Sequence, residues 1–197
     1  MRLYSREGAG RPPRVAWALE EAAAPYEVVR LTPEETHSDG HRQRHPLERV
    51  PVLEDDEGLL FESTGLCLHV ADLYPEAGLI GAVGTRQRAL AYQWSVFAMT
   101  EIEPAIIEAY RQRDVDPERA ETALERFRRA AEAVDAILEE HDYLIEDRFS
   151  VADIVVGSVL MIAKRFDDPA MLPPKIADYL GRLEQRPARQ RAYVALA

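Results

Sequence analysis

The fold is decided by Arg49-Val50-Pro51-Val52-Leu53-Glu54, an acidic turn, and Leu59-Leu60-Phe61-Glu62-Ser63. Two short apolar runs flank Asp55-Asp56-Glu57-Gly58, so the segment reads as a β-hairpin with its charges at the tip. Pro51 cannot donate to a sheet ladder and belongs at an edge or at a strand's first residue. The Val50 backbone ahead of it is then open to pair with something other than the sheet. A cis bond at Val50-Pro51 would turn those peptide groups outward, and X-Pro is the bond type for which cis is cheap. An extended peptide could add to this edge through main-chain hydrogen bonds.

Glu62-Ser63 stands where the second strand gives way to a helical stretch, with Ser63 read as the N-cap. A helix start offers N–H groups to a carboxylate, Glu62 suits an ammonium, and Arg49 suits a second carboxylate. That set fits the γ-glutamyl end of a small peptide thiol.

Outward from the hairpin, Leu3-Tyr4 begins a strand. Arg14 to Ala23 reads as a helix with Val15, Trp17, Ala18 and Leu19 on its apolar side, and Pro25 to Leu31 alternates as a second strand. Pro12 and Pro13 suit a first helical turn, where a missing N–H costs nothing. Pro33 to Pro46 is polar and reads as a loop with at most a short helix. His37, His41 and His45 fall there without acidic or thiol partners at ligand spacing, so solvated loop histidines are expected and a metal is not. Thr64 to Tyr74 returns to helix, giving β-α-β followed by β-β-α.

Strand signals vanish after Thr85. Arg86 to Tyr110 is helical with Pro104 predicting a break, and Pro117 to Leu138 is a long helix with Leu124, Phe127, Ala131, Val134 and Leu138 in its stripe. Ser150-Val151-Ala152-Asp153 starts another helix, with Asp153 bonding back to the cap, and a last one runs from about Pro174 to Arg186. The expected fold class is therefore α/β followed by all-α, with domains over 1–77 and 85–197 and a glycine-bearing linker between them.

At 197 residues and a net charge of −11, with both halves acidic, the chain is a poor match for nucleic acid or an anionic membrane. The single cysteine, Cys67, excludes an intrachain disulfide framework, and a reducing cytoplasm is the expected setting. It falls among Leu66, Leu68 and Val70, where a buried, inert thiol is expected.

The run His45-Pro46-Leu47-Glu48-Arg49-Val50-Pro51-Val52-Leu53, followed by Leu60-Phe61-Glu62-Ser63-Thr64-Gly65-Leu66, resembles the glutathione site of cytosolic glutathione transferases, bacterial type. That family usually reads Asn-Pro-x-Gly-(Lys/Gln)-Val-Pro-x-Leu and then Glu-Ser-x-Ala-Ile. The resemblance extends over nearly the whole chain, through Trp94 to Pro104, Phe149 to Asp153 and Tyr179 to Ala188. It implies a thioredoxin-like first domain, an all-helical second one, and a homodimer. It also implies that the Val50 main chain pairs with the cysteinyl unit of glutathione, that Pro51 is cis, that Glu62 and Ser63 hold the γ-glutamyl group, and that Arg49 holds the glycyl carboxylate. The implied activity is detoxification: glutathione as co-substrate, its thiolate added to a small electrophile, no metal. Two alternatives are glutathione binding without turnover and glutathione-dependent disulfide reduction.

Transfer needs the thiolate, and a free thiol of pKa about 8.5 is only a few per cent ionised at neutral pH. Family members place a Tyr, Ser or Cys donor just after the first strand, whereas this chain reads Gly8-Ala9-Gly10. The nearby hydroxyls are Tyr4 and Ser5. Ser5, ending the strand towards the loop, is the expected donor, with Arg11 as a second candidate through its charge. For the co-substrate pocket, the candidates are Arg11, Met99 and Tyr110.

Overall fold

In the computed structural model, which describes residues 1–166, 168 and 171–196, the alternating segments pair into one sheet of order β2-β1-β3-β4. Strand β1 (Arg2–Ser5) is parallel to β2 (Glu27–Arg30) and antiparallel to β3 (Val52–Glu54), and β4 (Leu59–Phe61) forms the edge. A parallel pair requires a crossover, which α1 (Pro12–Glu21) supplies with its two prolines in the first turn. Val15, Ala16, Trp17, Ala18 and Leu19 of α1 are fully buried, and α4 (Ser63–Leu73) packs beside them through Leu66, Cys67, Val70 and Ala71. The hairpin tip is closed by Asp55, whose Oδ1 accepts from the N–H groups of Glu57 and Gly58.

The polar stretch read as a loop carries two short helices, α2 (Pro33–Thr36) and α3 (Asp39–Arg44). Neither has an apolar stripe, so periodicity misses them. Each is started by a hydroxyl: Thr32 Oγ1 accepts from Glu35 N–H, and Ser38 Oγ accepts from His41 N–H, both at 3.2 Å.

The helical segments follow as α5 (Arg86–Phe97), α6 (Glu103–Gln112), α7 (Pro117–Leu138), α8 (Val151–Leu160), α9 (Pro174–Glu184) and α10 (Pro187–Leu196). The break expected at Pro104 takes the form of a π-helical segment, Ala98–Ile102, in which Glu103 N–H reaches back to the Ala98 carbonyl. A proline cannot continue the α ladder, and slipping to the wider bond accommodates it. Asp153 is buried and accepts from Ser150 N–H (2.8 Å), Ser150 Oγ (2.9 Å), Leu144 N–H (3.1 Å) and Tyr179 Oη (3.0 Å). Burial pushes its carboxyl up to about 6 while these donors pull it back. At Gly157 an added Cβ would lie 2.3 Å from Leu183 Cδ1, so α8 and α9 touch there because a side chain is missing.

By contacts the chain forms two compact units, one of Met1–Leu79 with the chain from Gln185 onward, the other of Ile80–Glu184. The sequence segment read as one closing helix to Arg186 is followed by Pro187, which opens α10. That helix packs on α1 through Ala188 and Ala192, with Arg186 bound to Glu21 at 2.6 and 2.8 Å and Arg191 to Glu20 at 2.6 Å. No helix among the described residues is long and apolar enough to cross a membrane.

Candidate functional site

Strand register builds the site. The last row of pairs across β1, β3 and β4 is Tyr4 with Val52 and Val52 with Phe61, so Ser5, which ends β1, stands at the same end of the sheet as Pro51 and Glu62. There the Val50-Pro51 bond is cis. Pro51 is buried and Val50 half-buried.

Glu62 has φ 72 and ψ 102, a conformation costing a non-glycine residue about 1–3 kcal/mol unless its surroundings impose it. This twist turns the chain from strand to helix in one residue. Consequently α4 begins at Ser63 itself and Glu62 takes the cap position, which corrects the reading of Ser63 as N-cap. Ser63 is buried, and its Oγ lies 3.5 Å from Nη1 of Arg14, a guanidinium only 2% exposed. A buried cation thus underlies the start of α4, adding to the positive end of the helix dipole. Sequence reading missed Arg14. The signal was there, because Trp17 and Ala18 lie three and four positions on, on the same apolar face.

The loop from His45 to Arg49 is held from α3. His41 is 0% exposed and its Nε2 lies 3.0 Å from the Arg49 carbonyl oxygen. His45 is 3% exposed, its Nδ1 accepts from Leu47 N–H at 3.0 Å, and its ring lies 4.8 Å from that of Phe61. Burial lowers its pKa, and the Glu62 carboxylate opposes that. The expectation of solvated loop histidines is therefore wrong for both, since the short helix α3 turns His41 inward and His45, its C-cap, is buried as well. His37 alone remains exposed, with Nδ1 2.9 Å from Glu48. Glu48 stands where the family usually has glycine and adopts φ 53, clasped by Arg42 at 2.7 and 2.5 Å. These hydrogen bonds hold the Glu48 carboxyl below its ordinary pKa. The Arg49 side chain is exposed. Among the described residues no group of His, Cys, Asp and Glu could hold a metal ion.

The activating side is sparser. Ser5 ends β1 and is 4% exposed. Tyr4 donates its hydroxyl to Glu54 at 2.6 Å under the Arg44 guanidinium, and burial raises its pKa, so it is occupied in packing the sheet. Arg11 is half-buried and caps α1 without a side-chain cap bond. Pro12 and Pro13 have no N–H, and that of Arg14 is taken by the Arg11 carbonyl at 3.2 Å. Cys67 is buried and its thiol is pushed up to about 12, which removes it as a nucleophile.

In the other unit, Met99 is half-buried within the π segment. Tyr110 meets Phe166 edge-on at 5.7 Å, with Arg113 over its ring at 3.8 Å.

Family models match both halves: "Glutathione S-transferase, N-terminal domain" over residues 1–72 and "Glutathione S-transferase, C-terminal domain" over 97–187. A glutathione S-transferase-like protein of Beauveria bassiana, OpS6, is 26% identical over 200 residues, covering 95% of this chain and 92% of that protein. The crystal structure of a glutathione transferase from Methylococcus capsulatus superposes with a TM-score of 0.88 at 29% identity, over 99% of this chain and 98% of that one. A sphingomonad glutathione S-transferase complexed with glutathione does so with 0.86 at 28%, over 100% and 98%.

Proposed function

The chain belongs to the glutathione S-transferase family, and we propose that it binds glutathione and adds the thiolate to a small electrophile. The observation that carries this reading is the convergence of the cis Val50-Pro51 edge, Glu62 and the buried Arg14–Ser63 pair on one end of the sheet. In it the Val50 main chain pairs with the cysteinyl unit, the start of α4 with Arg14 beneath takes the γ-glutamyl carboxylate, Glu62 takes its ammonium, and Arg49 the glycyl carboxylate. Ser5 donates to the thiolate and the Arg11 charge assists. The candidates for contact with the electrophile are Arg11 in the first unit and, in the second, Met99 and Tyr110. An exposed apolar edge strand, Leu59, Leu60 and Phe61, supports a homodimer. The test is ultraviolet titration of bound glutathione. A thiol that ionises about two units below its free value supports transfer, whereas one that titrates like free glutathione sinks it.

One observation favours a second reading, binding without turnover. Gly8-Ala9-Gly10 brings no hydroxyl, and Pro12 and Pro13 bring no N–H, to the place where the thiol needs a donor. Ordinary conjugation rates that collapse in Ser5→Ala exclude it. Reduction of a small glutathione-linked disulfide, without activity on aryl halides, would instead favour a disulfide reductase.

A further inference from the structure

The Arg49 carbonyl and the Val50 N–H belong to one peptide unit, and in a trans unit they point in opposite directions. His41 Nε2 lies 3.0 Å from that carbonyl. A carbonyl oxygen only accepts, so Nε2 carries the proton. Fixing the oxygen towards α3 aims the Val50 N–H away from α3. At the other end of the loop, Leu47 N–H points at His45 Nδ1, 3.0 Å away. That nitrogen must be bare, so the His45 proton also sits on Nε2. The Glu48 N–H closes the turn onto the His45 carbonyl at 2.9 Å.

We propose that His41 and His45 are positioning residues, two buried imidazoles in the Nε2–H form that hold the 45–51 loop so that the Val50 amide is presented to the cysteinyl unit of glutathione. This rests on the glutathione reading above. Packing alone does not account for either ring. His41 Nδ1 is buried with no hydrogen-bond partner, a desolvated nitrogen that an aliphatic or phenyl side chain would not carry. What the imidazole adds over such a side chain is the bond to Arg49. His45 stands where the family usually has asparagine, and its Nδ1 can do what an amide oxygen would do, accepting from the N–H two residues on.

The charged and titratable groups facing His45 are Glu62, which favours its cation, and His41 and Arg49, which oppose it together with burial. A proton added to His45 Nδ1 turns the acceptor for Leu47 into a donor, and the loop loses that tie. Glutathione affinity is then flat around neutrality and falls on acidification.

Calorimetric titration of reduced glutathione into the full chain tests this, using His41→Phe, His41→Gln, His45→Leu and His45→Asn at neutral pH and at about pH 5. Far-ultraviolet dichroism and melting curves establish that each variant is folded. The expected result is about tenfold weaker binding for His41→Phe and His45→Leu, the effect of one unsatisfied buried group. His41→Gln, whose amide nitrogen can replace Nε2–H, recovers to within about threefold. His45→Asn binds as the unsubstituted chain at neutral pH and no longer weakens in acid, a result that simple loss of packing would not produce. Equal binding by all folded variants at both pH values overturns the positioning role alone. No binding by the unsubstituted chain overturns the glutathione reading, and this inference with it.

Discussion

The segment from His41 to Ser63 and the connection from Ser5 to Arg14 border the same end of the sheet, yet they depart from the family pattern in opposite ways. In the first, His45 replaces asparagine and Glu48 replaces glycine, and each brings contacts that do the replaced residue's work: an acceptor for Leu47 N–H, and an ionic clasp that holds φ 53. In the second, Gly8-Ala9-Gly10 and Pro12-Pro13 only subtract donors. Gripping a peptide uses main-chain groups and fields spread over several residues, so side chains can change while each hydrogen bond keeps its sense. Activating a sulfur needs donors or positive charge brought to one atom, so each donor lost near it counts directly.

The largest effect is expected at Arg14, the residue common to both regions. Arg14→Met removes the buried cation beneath Ser63 and should weaken glutathione binding by about 2 kcal/mol, roughly thirtyfold, measured by calorimetry on folded protein. If affinity holds while ionisation of the bound thiol is lost, Arg14 belongs to the activating side and the contrast between the regions shrinks.

Next in size is Ser5→Ala. Loss of a hydroxyl donor should raise the bound thiol's pKa by about one unit and lower conjugation below neutral pH by about tenfold, with the dissociation constant nearly unchanged. Tyr4→Phe is the companion variant. Because the Tyr4 hydroxyl is spent on Glu54, it should lower thermal stability and leave both glutathione parameters alone. Should Tyr4→Phe rather than Ser5→Ala abolish turnover, the assignment of the donor is reversed.

What could be read in advance follows from what is local. Alternation and a single proline sufficed for the hairpin, the cis Val50-Pro51 bond followed from the family resemblance, and an unbroken stripe sufficed for Pro117–Leu138. The capping partner of Ser150 was legible because Asp153 lies one turn away. Helices α2 and α3 were not, since hydroxyl caps rather than an apolar face start them. The burial of His41 and His45 depends on that missed geometry, and on contacts that no local pattern carries, to the Arg49 carbonyl and to the Phe61 ring on the second strand of the hairpin. Likewise the start of α4 is set by the φ of Glu62, a property the pattern Glu-Ser does not carry.

The smallest effect is expected from restoring the family glycine with Glu48→Gly, and its sign should depend on pH. Glycine adopts φ 53 without strain, which favours the variant, but it loosens the unfolded chain and removes the contacts to Arg42 and His37. Those contacts hold the Glu48 carboxyl below its ordinary pKa in the folded chain. A depressed folded pKa gives stability that is present above the unfolded value, about 4.5, and lost as pH falls through the folded one. Near neutrality, then, the two chains should melt within about 2 °C of each other, and acidification below about pH 4 should move the balance towards the glycine variant. Glutathione affinity should not change, because the Arg49 carbonyl keeps its bond to His41 in both. A large loss of affinity in Glu48→Gly would mean that the clasp, and not the histidine behind it, aims the Val50 amide.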